Sequence, residues 1–164
     1  MTVYQDLTTD EQRVLSRSLR AAAVFISAAS PGRATETASE GFAVAELILD
    51  SQAEWVANPL VSSTILELKG RLDGDERFPD YVAAASAPGA SEEAEEALRA
   101  VVALLDEKST SEEAAGFKAW LLRIAETAAT AGKEDQGFRG TGGVLVNDAE
   151  REALRRLADL LGVA

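Results

Sequence analysis

Thr8 with Glu11, Thr110 with Glu113, and Asn147 with Glu150 each set a Thr or Asn three positions ahead of a Glu, with apolar residues at helical spacing after it. In such a pair each side chain accepts a hydrogen bond from the other's backbone N–H, which satisfies donors that the first turn of a helix leaves without partners. No segment alternates apolar and polar residues convincingly over the length of a strand, so no sheet and no βαβ unit is expected. The pattern commits the chain to an all-α fold, a compact multi-helix bundle of about six or seven helices with short connections, in a single domain over residues 1–164.

After the first cap, Leu15, Leu19, Ala22, Ile26 and Ala29 fall on one face, and Ser30, Pro31 and Gly32 stop the helix. A second helix is expected from Thr35 or Thr37 toward Val56, burying Ala38, Phe42, Ala45, Leu49, Ala53 and Val56 and ending at Asn58 and Pro59. The short loop between these two helices predicts an αα-hairpin. Val61, Ile65, Leu68 and Leu72 share a face of a third helix. From Gly70 to Gly89 glycine, proline and charge break the periodicity, with a helical turn expected around Tyr81 to Ala85.

Ser91, followed by Glu92 and Glu93 where they complement the helix dipole, predicts the next N-cap, and Ala94, Leu98, Val101 and Leu105 its buried stripe. Phe117, Leu121, Ile124, Ala128 and Ala131 follow Thr110, with Gly132 as terminator; Leu154, Leu157 and Leu161 follow Asn147. Between these last two helices lies a glycine-rich loop, with a brief extended piece at Val144 to Val146.

Composition narrows the function classes. Aromatics are only 5% of the chain and alanine is frequent, which suits closely approaching helices. Acidic residues outnumber basic ones 28 to 16, a net charge of -12 that repels phosphate backbones and anionic headgroups, so neither nucleic acid nor a membrane is an expected partner. Cysteine and histidine are absent, which removes disulfides, thiolate and imidazole metal sites, and the Cys-His and Ser-His-Asp arrangements. No run approaches the roughly 18 apolar residues of a membrane span, and the start lacks a leader's charge and apolar core, so the chain reads as soluble and cytoplasmic.

The loop GFRGTGG has the glycines of a phosphate cradle but lacks the strand before it and the Gly-Lys-Ser/Thr that a P-loop requires. Carboxylates are the stronger candidates. Glu134, Asp135, Asp148 and Glu150 flank the loop from both sides and Glu126 sits two turns earlier, so an oxygen-only site for Ca²⁺ or Mg²⁺ could be assembled from Glu134, Asp135, Glu150 and Glu126. The ordinary reading of the same residues is solvated loop acids, with Glu150 acting as the capping partner of Asn147. Glu36 and Glu40 are one turn apart and read as a solvated acidic face, as do Glu92, Glu93, Glu95 and Glu96, while Asp73 to Glu76 reads as a solvated loop. Trp55 and Trp120 are either core or rim residues or anchors of an exposed patch. No nucleophile has a visible activating base.

The C-terminal segment FKAWLLRIAETAATAGKE, GFRGTGG, VLVNDAEREALRRLADLLG resembles the TerB-like helical proteins of the tellurite-resistance group and related bacterial proteins. The positions matching that family's inter-helix pattern are Ala131, Glu134 or Asp135, Gly137, Val146 and Glu150, with a longer loop here. A weaker echo lies in Ala29, Gly32 and Glu36 or Glu40, where Ser30 or Pro31 replaces the expected acid. The resemblance implies an all-α fold, an oxygen-ligated divalent cation and a stress-linked role. The leading expectation is a non-enzymatic acidic binding or scaffold protein. Its alternatives are an interaction module that docks a protein partner or forms a homodimer, and a metal-dependent enzyme using the same carboxylates.

Overall fold

A computed structural model describes residues 1–73, 81–131 and 146–163. Among them are seven α-helices and no strand: α1 Thr9–Ala29, α2 Ala34–Asp50, α3 Pro59–Asp73, α4 Tyr81–Ser86, α5 Ala90–Lys108, α6 Ser111–Ala131 and α7 Asp148–Leu161. Single 3₁₀ turns precede α1 at Tyr4–Asp6 and follow α2 at Ser51–Ala53. The protein is an all-α multi-helix bundle, and none of the described helices is long and apolar enough to cross a membrane.

The three capping boxes form as their spacing predicts. Thr8 N–H donates to Glu11 at 2.8 Å and Glu11 N–H to Thr8 Oγ1 at 3.3 Å; Asn147 and Glu150 exchange the same two bonds at 2.9 Å each. Glu113 does more. Besides exchanging bonds with Thr110, it accepts the backbone N–H of Thr2 at 2.8 Å, tying the N-terminal segment to α6. Burial alone would raise the Glu113 carboxyl, but the N–H groups of Thr110 and Thr2 outweigh it and hold the group below its ordinary value.

The start of α5 differs from expectation. Its N-cap is Gly89, in the left-handed region at φ 77°, so the helix begins ahead of Ser91. A residue without Cβ accepts that backbone turn and lets the α4–α5 connection reverse tightly.

α1 organises the interior. Every residue from Ala21 to Ser27 is buried, so α1 is enclosed on all sides there instead of presenting one stripe, and Ala29 is only half-buried. Alanines at 21, 22 and 23 allow this, because small side chains let α5, α6, α7 and α4 close in on one helix. The predicted hairpin is correspondingly loose: α2 packs mainly along α6 and only lightly along α1, whose flanks α5 and α6 occupy. The apolar stripes of α3, α5, α6 and α7 point inward largely as read, and one contiguous core joins Leu60, Val61 and Ile65 to Leu98, Leu105, Phe117, Trp120, Ile124 and Leu157. Phe117 and Trp120 meet edge to face at 5.5 Å between ring centroids.

The α2 stripe is the principal correction. Its buried residues are Thr37, Glu40, Val44 and Ile48, with Ser51 just beyond, and the residues expected inside face outward or lie at the boundary. The helix also ends at Asp50, earlier than expected. Ser51 Oγ donates to the Leu47 carbonyl, and the Ser51 carbonyl accepts from Glu54 and Trp55 N–H at 3.0 and 3.2 Å, tightening the last turn before Asn58 starts α3.

Candidate interaction surface and the buried acid behind it

α2 carries two features of interest on different faces. On the inner face, Glu40 is buried and accepts a hydrogen bond from Ser27 Oγ on α1. Ser27 Oγ also lies 2.9 Å from the Tyr81 hydroxyl on α4. A serine has one proton to give, and Ser27 directs it at Glu40, so Tyr81 is the donor in the second bond and the chain runs Tyr81 to Ser27 to Glu40. Burial raises the Tyr81 phenol above its usual value, the bond to Ser27 works against that, and the nearby Glu40 charge adds to it. The phenol thus keeps the proton the chain requires.

Gly41 makes this contact available. A Cβ there would lie 2.9 Å from Tyr81 Cδ1 and 3.1 Å from its Cβ, so the ring rests directly against the α2 backbone. The cluster therefore adds polar bonds between α1, α2 and α4 to the apolar packing of Val44 and Ile48 on the same inward face of α2. Beside it, an open cleft of about 340 Å³ runs between the α1–α2 and α4–α5 turns, lined by Ser27, Thr37, Ser86 and Glu92 among others.

The outer face of α2 follows from the same rotation. Phe42 is 78% exposed and Val56, beyond the helix, 73%. Ala38, Ala45 and Leu49 share the Phe42 side of the helix and are only partly covered. At 100° per residue this stripe lies about a third of a turn from Val44 and Ile48. Along its other edge Glu46 and Asp50 are exposed one turn apart, and Glu54, just past the helix end, is exposed as well. Leu66, on α3, is a separate half-exposed apolar residue at 51%.

The acids singled out from sequence fall differently. Glu134 and Asp135 lie outside the described residues, as do the glycine loop, Gly132 and most of the extended piece expected at Val144 to Val146. Glu150 is buried at the start of α7 with its Oε2 on the Asn147 N–H, and Glu126 is exposed on α6. Among the described residues no group of three or more acidic side chains is assembled to hold a metal ion. Glu36 and Glu40, read as one solvated face, part company: Glu36 Oε2 accepts the Arg33 N–H at 2.9 Å at the start of α2, while Glu40 turns inward. Trp120 is fully buried and Trp55 half-buried against the core, so among the described residues the exposed aromatic is Phe42 and neither tryptophan.

The Glu40 cluster was missed because its partners are 13 and 41 residues away in sequence, and a buried glutamate next to a glycine reads locally like any surface acid. The one available signal was Gly41 itself, a glycine inside a helical pattern, which often marks a close approach. Compared with protein-family models, with curated proteins and with solved structures, the chain finds no match.

Proposed function

We propose that this protein is a non-enzymatic helical binding module that recognises a protein partner through the outer face of α2. The observation that carries the reading is Phe42, a large aromatic held 78% exposed on a stripe with Ala38, Ala45 and Leu49. Singly exposed apolar residues are ordinary on protein surfaces; a stripe at helical spacing around an aromatic is the form an interaction face takes. Covering a phenylalanine contributes roughly 1.5–3 kcal/mol, enough for one such residue to act as an anchor. The reading agrees with the lack of an activated nucleophile in the sequence and requires no cofactor.

The test is photo-crosslinking in the native cell with benzoylphenylalanine placed at position 42, and at the exposed Arg13 position of α1 as control. The reading expects a discrete protein adduct, identified by mass spectrometry, at 42 and not at 13. Adducts shared by both positions, or none at 42, overturn it. An adduct of twice the chain's mass assigns the face to a homodimer.

A further inference from the structure

Resting on that binding reading, we infer that the occupant of the α2 face is a basic amphipathic helix, seated with its apolar side on Phe42 and its cationic side against Glu46, Asp50 and Glu54. Two observations specify it. The first is shape. From Ala38 to Leu49 the stripe spans eleven residue steps, about 16 Å at 1.5 Å per residue. It offers contacts at positions 38, 42, 45 and 49, the spacing that a partner helix of three to four turns with apolar residues at i, i+3 or i+4, and i+7 can match.

The second is charge. Between Arg33 and Lys69 the chain has no basic residue, while Glu36, Glu40, Glu46, Asp50, Glu54 and Glu67 are all acidic. Elsewhere on the surface several acids are paired within the chain, Glu152 and Asp159 with Arg155, Glu95 with Arg99 and Arg156, Asp148 with Arg151, whereas Glu92, Glu93 and Glu96 on α5 make no ion pair among the described residues and form a second acidic patch without an exposed aromatic beside it. Among the described residues Glu46, Asp50 and Glu54 make no such ion pair. Arg33 stands at the start of α2, and Lys69 donates to Gln52 at 3.2 Å just past its end. A stripe with one uncompensated acidic edge selects a cationic partner and draws it in over a Debye length. A second copy is disfavoured by the same field, since two chains of net charge -12 would bring like charges together.

The experiment titrates the whole protein with three labelled synthetic peptides of about four helical turns and reads fluorescence anisotropy. One has leucines at the i, i+4 and i+7 positions with lysine and arginine flanking them. The second carries glutamate at every basic position, and the third serine at every leucine. Only the first peptide should bind measurably. Its affinity should fall several-fold as salt rises from about 0.01 to about 0.15 M, over which the Debye length shrinks from about 30 to about 8 Å. Phe42→Ser, and separately the reversal of Glu46, Asp50 and Glu54 to Lys, should each weaken binding by about tenfold or more. Reversal of Glu92, Glu93 and Glu96 on α5 should leave it within about twofold; circular dichroism melting verifies that every variant is folded.

Equal binding of the acidic peptide, indifference to the α2 reversal, or equal loss on the α5 reversal overturns the inference. So does a preference for neutral phosphatidylcholine vesicles over the peptide, or self-association on light scattering that strengthens with salt. These results are separable from the reading beneath them. A position-42 adduct with a non-basic partner removes the cationic helix and keeps the binding face, whereas loss of the adduct removes both.

Discussion

Replacing Gly116 by alanine should destabilise the protein, against what helix propensity alone predicts. Gly116 lies inside α6, where alanine is worth about 1 kcal/mol more than glycine. A Cβ at this position, however, would overlap Asn58 Nδ2 and lie 3.3 Å from Asn58 Cγ. Asn58 is not free to swing aside at no cost. Its Oδ1 accepts the Val61 N–H at 3.2 Å, capping α3, and its Nδ2 donates to the Glu113 carbonyl at 3.1 Å, tying α3 to α6. Losing the cap costs about 1 kcal/mol, losing the inter-helix bond about 1 more, and leaving a half-buried amide poorly paired adds up to about 2.

The loss is then about 2–4 kcal/mol against a gain of about 1, a net destabilisation of about 1–3 kcal/mol and a fall in Tm of about 3–10 °C for a chain of this length. Thermal melts of the wild type, Gly116→Ala, Asn58→Ala and the double variant form a cycle that checks the cause. With Asn58 truncated, the nearest atom left to the new methyl is Trp55 Cζ3 at 3.7 Å, an ordinary contact. In that background Gly116→Ala should become neutral or stabilising. A Tm that rises in the single variant, or falls equally in both backgrounds, would refute the proposed clash.

Other consequences concern the faces of α2 and the capping acids. Phe42→Ser should change stability by less than about 0.5 kcal/mol in urea unfolding, whereas Ile48→Ala, two turns along on the buried face, should cost about 2–4 kcal/mol; equal effects would mean the helix is rotated from the orientation described. Tyr81→Phe removes the donor to Ser27 and should cost about 1 kcal/mol, and a variant as stable as wild type would show that the hydroxyl makes no useful bond. The folded Glu113 carboxyl is held below its ordinary value of 4.5, so its contribution is complete above that pH and is lost as the pH falls through and below it. Glu113→Gln should therefore be less stable than wild type at neutral pH, with the gap closing under acid; a gap independent of pH in urea midpoints would remove the ionised carboxylate from the account.

The capping boxes could be read from sequence because their chemistry is local: Thr8 and Glu11, Thr110 and Glu113, and Asn147 and Glu150 need only three residues of helix to meet. The inward stripes of α3, α5, α6 and α7 were also legible, because each has one run of apolar side chains at helical spacing and no rival. For α2 two faces compete. The more hydrophobic one, Ala38, Phe42, Ala45 and Leu49, lost to Thr37, Glu40, Val44 and Ile48. Periodicity weighs side chains by their transfer from water and cannot know that Ser27, with Tyr81 behind it, will satisfy a buried carboxylate, or that Gly41 will let the Tyr81 ring reach the backbone.

By itself, then, the sequence determined an all-α bundle, most of its boundaries and most of its core, since those follow from interactions within a few residues. Only the tertiary structure decided the rotation of α2, and with it the exposure of Phe42, because that choice depends on what other helices offer each face: core contacts for Val44 and Ile48, and the hydroxyls of Ser27 and Tyr81 beside Glu40.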